Sequence, residues 1–309
     1  MMANMPVANA PVSYGAFELT VGIDPAAPDA LTVLDMVAEA GYQGIDAGPI
    51  GFLGRGDELT ERLAARKLAV CGGYIELPFH EPQRMEPALA ELDALLDVFD
   101  SALPMNHSLG LPAPKPTLAA VGTERKHALP GQAVRDPGIG LGAEEWKRLA
   151  DSLEATVTRC RERGYEPTLH NETGTSVEAP WEIEKVLEVT TVDLCLDTGH
   201  LLLGGGDPVE SLRAWHGRVN HLHAKSARLD VMSRIVADQG STEEIWRREA
   251  FCPLGEGDLD GDGLLALVRQ LGWSGWIVVE QDTLPGPGKL ERAHRDQRAN
   301  RQYLRDRGL

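Results

Sequence analysis

The chain has 309 residues, 47 acidic against 30 basic, giving a formal net charge of −17, and 42% of its residues are hydrophobic. That charge excludes a nucleic-acid binder held by a basic face and disfavours binding to an anionic membrane surface, because neither half carries a run of Lys and Arg able to displace counterions. The composition is that of a globular protein with a substantial core, and no stretch approaches the roughly 18 apolar residues needed to span a bilayer.

In chain order, the N-terminal MMANMPVANAPVSYG has neither the basic start nor the apolar run of an export signal, so a soluble cytoplasmic protein is expected. Short apolar or β-branched runs then alternate with amphipathic stretches. Strands are predicted at 12–17, 43–47, 68–75, 116–121, 166–171, 192–197, 218–224 and 276–281. Helices are predicted at 29–41, 57–66, 86–100, 143–163, 180–190, 207–216, 262–271 and 289–306, several closed by a glycine such as Gly41, Gly164 or Gly272. This alternation predicts an α/β protein with a (β/α)₈ TIM barrel over residues 1–309, in one domain, with a doubly wound open sheet as the alternative. Residues 101–142, rich in Pro, Gly and Ala, and residues 225–260 are too long for simple connections. Both are expected to lie over one end of the barrel, the second as a cover on its C-terminal mouth.

Polar residues collect where the predicted strands end: His170 and Glu172, Asp197 and His200, His221 and His223, then Glu280 and Asp282. Residues two apart on a strand share a face, so His170 with Glu172, and His221 with His223, should point into the barrel mouth together. Each alone reads better as a hydrogen-bonded structural residue or a helix cap. Their recurrence on consecutive strands instead predicts a mixed N/O site for one divalent metal such as Mn²⁺, Fe²⁺, Co²⁺ or Zn²⁺.

Other patterns carry no site. Cys71, Cys160, Cys195 and Cys252 lie far apart with no CxxC pair and are expected to be reduced core thiols. The run from Asp258 to Gly263 starts like an EF-hand loop, but Arg269 occupies the position that needs a bidentate Glu. Gly204 to Pro208 lacks the Lys-Ser/Thr of a P-loop and reads as a turn leading into a helix. The tryptophans are packing residues by default, although Trp246, inside the second long segment, could floor a sugar pocket.

With these residues in view, the chain resembles the xylose isomerase-like TIM-barrel superfamily, and within it the branch containing inosose dehydratase (2-keto-myo-inositol dehydratase). The resemblance rests on NAPVSYG, AGYQGIDAGPIGFLG, CGGY, HNETGTSVEAPWEI, CLDTGHLLLGGGDPVE, HLHAK, FCPLGEGDLD and GWIVVEQD. It implies one metal, often manganese, Mg²⁺ being a further option, held through Asp197, His223 and Glu280 with a fourth ligand from the fifth strand. That ligand is His170 by position in the family pattern and Glu172 by the preference of hard ions for oxygen. Three positions depart from the branch's pattern: Glu172 replaces an imidazole, Asp46 stands where Glu is expected, and Ser226 follows Lys225 where Asp is expected.

A metal of this kind polarises a ketone, so a base nearby can remove the α-proton. Glu172 or Glu280 is the expected base, and His200, His170 or Lys225 the expected proton donor. His170, His221, Asp46 and Trp246 are the expected contacts to a small polyhydroxylated ketone. Elimination from a keto-cyclitol or keto-sugar is the leading reading. Behind it stand isomerisation or epimerisation of a free ketose, β-elimination of a 3-keto glycoside, and a non-catalytic sugar-binding barrel. The acidic charge disfavours an AP endonuclease of the same superfamily, and no dinucleotide fingerprint supports redox chemistry. A symmetric homo-oligomer is compatible with the acidic surface.

Overall fold

The computed structural model describes residues 5–309. Its barrel strands are β1 (Val7–Asn9), β2 (Gly44–Asp46), β3 (Ala69–Leu77), β4 (Lys115–Ala120), β5 (Thr168–His170), β6 (Asp193–Asp197), β7 (Val219–Ala224) and β10 (Ile277–Val279), all pairing in parallel. The other two, β8 (Ser226–Ala227) and β9 (Phe251–Cys252), form an antiparallel ribbon. β1 closes the ring by pairing with β10 at Val7↔Ile277 and with β2 at Ala8↔Gly44, which overturns the open-sheet alternative.

Each barrel strand is followed by a helix on the outside, and the predicted helices recur within a residue or so except one. That exception, predicted at 86–100, runs from Met85 to Ser108 through Pro104. A proline removes one backbone bond from the helix interior. Here Asn106 compensates: its side chain accepts from the Val70 N–H at 3.1 Å and donates to Val70 O and Pro112 O at 2.7 Å each, tying the last turn to β3. Residues 101–142 are therefore not one excursion. They comprise the end of this helix, a turn, β4, and only then the mouth segment beyond Ala120.

The first strand also differs from expectation. It lies at Val7–Asn9, whereas 12–17 opens with a 3₁₀ turn at Pro11–Tyr14 ended by Gly15 at φ 84°. Pro11 cannot donate to a ladder, and the apolar pattern of VSYGAF arises because these residues are packed over the barrel rather than within it. In the barrel interior, wholly buried Trp276 forms a floor with the small residues Ala8, Ala69 and Cys71 around it. Polar side chains nearer the C-terminal mouth stand on this apolar layer.

Two long mouth segments are fastened to each other and to the barrel. The Thr242 N–H and hydroxyl both donate to His127 O, at 2.9 and 3.1 Å, joining residues 225–260 to the segment after β4. In that segment Lys126 Nζ lies 2.7 Å from Glu182 and 3.1 Å from Glu178, all three side chains wholly buried. Breaking such a cluster strands charge without water. Lys126→Met should lower stability by about 3–5 kcal/mol in urea unfolding; an unchanged unfolding midpoint would show that the cluster carries no net stabilisation. Among the described residues no helix is long and apolar enough to cross a membrane.

Candidate metal centre

The ends of β5, β6 and β7 and the residue after β10 bring His170, Asp197, His223 and Glu280 together, with one ligand-type atom from each lying within 4.8 Å of the others. All four are buried. Asp197 Oδ2 is 3.4 Å from His170 Nε2 and 3.7 Å from His223 Nδ1, and His223 Nδ1 is 3.1 Å from Glu280 Oε2. The local sequence explains the placement. Asp197 ends β6 and caps the helix Thr198–Leu203, its Oδ1 accepting the His200 N–H at 2.8 Å, which leaves Oδ2 facing the cluster. Asn171 extends the β5–β6 ladder with its side chain, donating to Asp197 O at 3.0 Å and accepting from the Asp197 N–H at 2.9 Å.

Lys225, just beyond the end of β7, lies among these carboxylates, with Nζ 3.2 Å from Asp197 Oδ2, 3.0 Å from Glu280 Oε2 and 2.7 Å from Asp282 Oδ1. Burial opposes its charge, but Asp197, Asp282 and Glu280 hold the ammonium well above the ordinary lysine range. Burial likewise opposes ionisation of Asp197, Glu280 and Asp282, yet all three carboxyls are held below their ordinary range, with Lys225 prominent among the causes. Burial pushes His170 down to about 4, so its imidazole is neutral and able to ligate.

Three ionised carboxylates crowd one ammonium, and although burial opposes it, Cys195, Glu280 and Asp197 hold His223 well above the ordinary histidine range, so positive charge is drawn to the position a cation would take. In addition, Asp197 Oδ2 and both ring nitrogens of His223 are buried and make no hydrogen bond of good geometry among the described residues; Asp197 Oδ2 and His223 Nδ1 have only the ionic neighbours named above. Buried groups so poorly hydrogen-bonded are costly, and a divalent cation held by them would satisfy both their charge and their lone pairs. The donor set, two imidazoles and two carboxylates, suits such an ion. Cys195 also lies near His170 and His223, on the same face of β6 as Asp197, and is a thiol raised by burial.

The remaining site residues separate by depth. Glu172 lies beyond the end of β5, where the strand alternation no longer applies, and is outside the four-atom cluster. Its Oε2 accepts from the Tyr74 hydroxyl at 2.5 Å and stands 3.8 Å from His170 Nδ1; burial raises its carboxyl to about 7. Asp46, raised to about 6 by burial, lines the small cavity over the cluster, as do His200 and Trp246. His221 does not reach it. It shares the inward face of β7 with His223 but sits a layer deeper, wholly buried, and is not among the residues lining the cavities at the mouth.

Comparison with known proteins adds the lineage. The model of the xylose isomerase-like TIM barrel family matches residues 34–306. The chain belongs to this family. An inosose dehydratase from Geobacillus kaustophilus strain HTA426 is 29% identical over 257 residues, covering 82% of this chain and 80% of that protein. Among solved structures, the probable 3-DHS dehydratase AsbF of Bacillus anthracis superposes with a TM-score of 0.64 at 16% identity, over 98% of this chain and 100% of that one. The IolI protein with a bound zinc atom superposes with a TM-score of 0.59, also at 16% identity, over 98% and 97% of the two chains. These two likenesses are of fold.

Within this xylose isomerase-like barrel, two glycines are required by close approach. A Cβ on Gly199 would lie 2.6 Å from Lys225 Cγ, and one on Gly174, at φ 92°, would lie 2.6 Å from Thr242 Oγ1. Gly199→Ala should therefore displace Lys225 and cost about 1–3 kcal/mol. Thermal unfolding of the purified variant measures this; an unshifted Tm would mean that the lysine stem yields freely. Tyr74 and Phe17, absent from the expected contacts, line the cavity above the cluster. CGGY, one of the motifs that carry the family resemblance, is the sequence signal that included Tyr74, which lies within β3.

Proposed function

We propose that this chain is a divalent-metal-dependent lyase, a dehydratase that removes the proton α to the ketone of a keto-cyclitol or keto-sugar. The buried cluster of His170, Asp197, His223 and Glu280 beside the Glu172 carboxylate carries this reading. The inosose dehydratase name of the relative supports the reaction type, and the zinc in IolI supports the metal. Mn²⁺ is proposed as the first choice, ahead of Co²⁺, Mg²⁺, Fe²⁺ or Zn²⁺. When bound, the metal supplies Lewis-acid polarisation of the ketone.

The chain's own residues do the rest. Glu172, oriented by the Tyr74 hydroxyl, takes the α-proton on its carboxylate. His200 Nδ1 lies 3.3 Å from Thr173 Oγ1, which can accept a hydrogen bond from it, and Nε2 lies 3.5 Å from Asp282 Oδ2. As an imidazolium, His200 gives its Nε2 proton to the departing β-oxygen and is left a neutral imidazole. Lys225 holds the three carboxylates in place, and Asp46 and Trp246 contact the polyol.

Metal-loaded protein incubated in D₂O with 2-keto-myo-inositol, a 3-keto-glucoside and free ketoses tests this by NMR. The expected result is elimination: loss of water from 2-keto-myo-inositol, or of the aglycone from the 3-keto-glucoside, whose β-carbon carries that group in place of a hydroxyl. Deuterium incorporation without loss of a group would make the enzyme an isomerase or epimerase, and no exchange on any substrate would remove the enolisation reading in favour of a sugar-binding barrel.

A further inference from the structure

The cavity over the metal cluster, about 100 Å³, opens into a second one of about 850 Å³. Phe17, Glu18, Tyr74, Glu172 and Trp246 line both, so the two are continuous at the proposed base. A single polyol ring at the cluster leaves most of the larger space unfilled, since sites of this volume accommodate ligands several times larger.

The walls say what kind of group fits there. Phe17 and Trp246 face it as a stacked pair, with centroids 6.5 Å apart and planes 25° from parallel, and Ile50, Ile75 and Ala94 extend the apolar lining. Leu19, also on the wall, is 66% exposed, an apolar side chain awaiting cover. The charged lining is mainly acidic: Glu18, Glu76, Glu91, Glu172 and Glu243 against Arg55 and His127. A phosphate or carboxylate on the ligand would meet this excess of carboxylates unfavourably.

We propose that the substrate is a keto-glycoside whose ketone-bearing ring sits at the metal cluster while an uncharged aromatic aglycone occupies the larger cavity. This rests on the reading of the site as a ketone-binding metal centre and narrows its substrate class. The aglycone ring lies against Trp246 and Phe17, and hydroxyls on its edge donate to the carboxylates. Stacking and apolar burial supply the affinity, and the acidic lining supplies the discrimination against anionic sugars.

Calorimetry on the Mn²⁺-loaded protein tests the proposal without requiring turnover. Phenyl 3-keto-β-glucoside should bind about 10- to 100-fold more tightly than methyl 3-keto-β-glucoside, the scale of burying one aromatic ring. The 4-carboxyphenyl analogue should lose most of that gain. Ala94 and Ile50 line the larger cavity but not the smaller. Ala94→Trp and Ile50→Trp should therefore abolish the phenyl preference and leave methyl glycoside binding unchanged, with Tm confirming that at least one variant is folded.

Equal affinity for the phenyl and methyl glycosides, or a phenyl preference that survives in a folded plugged variant, would overturn the proposal. If 2-keto-myo-inositol exchanges its α-proton in D₂O while neither glycoside binds, the aglycone subsite is wrong and the metal-dependent reaction stands. If neither glycoside binds and 2-keto-myo-inositol neither binds nor exchanges, both fall.

Discussion

Glu280→Gln and Asp197→Asn should each come through purification without stoichiometric divalent metal, and each should lose activity by about 10³-fold or more, the scale of a lost Lewis acid worth several kcal/mol. Both substitutions keep the shape of the side chain and remove its charge. Asparagine at 197 retains an oxygen able to accept the His200 N–H, so the cap on the helix Thr198–Leu203 survives and the loss is not one of folding. What changes is the carboxylate charge: with one carboxylate neutral, Lys225 already offsets half of the remainder, and the attraction for a dication falls accordingly. Elemental analysis after dialysis decides the matter. Full metal content in both variants would remove the cluster as the metal site, whatever happened to turnover.

The parts of this site that were legible in the sequence share one property. His170, Asp197 and Glu280 each follow directly on apolar strand residues, and His223 stands two residues after His221 on the same face of β7, so the strand itself delivers them to the mouth and strand alternation is enough to find them. The rule fails in two instructive ways. It assigns a face but not a depth, so His221 and His223 look equivalent although the two are about 6.6 Å apart along β7. It also holds only while the strand lasts: β5 ends at His170, and Glu172 turns instead toward Tyr74 on β3. Contacts made by convergence in space, such as Phe17 with Trp246 or Thr242 with His127, leave no periodic trace at all.

The fold shows the same division. Eight amphipathic helices are readable because their burial repeats along each segment by itself. β1 is not, because three small or medium residues before Pro11 make no pattern until β2 and β10 pair with them. Nor is the continuation past Pro104, since the bonds that stabilise it come from Asn106 to a strand 36 residues earlier.

Glu172→Gln should separate proton abstraction from metal binding. Glu172 stands outside the four-atom cluster, so the variant should retain full metal content while kcat for α-proton removal falls by about 10²–10⁴-fold, the usual contribution of a positioned general base. The glutamine amide still accepts from the Tyr74 hydroxyl, which keeps the side chain in place and confines the change to basicity. Tyr74→Phe acts one step removed: it leaves the carboxylate present but loses a hydrogen bond to it, so a smaller drop, about 10- to 100-fold, is expected. Deuterium exchange at the substrate's α-carbon, measured beside metal stoichiometry, distinguishes the possible roles of the residue. Wild-type exchange in Glu172→Gln would exclude it as the base and turn attention to Glu280. Loss of metal together with exchange would make Glu172 a ligand, with His170 displaced from the set.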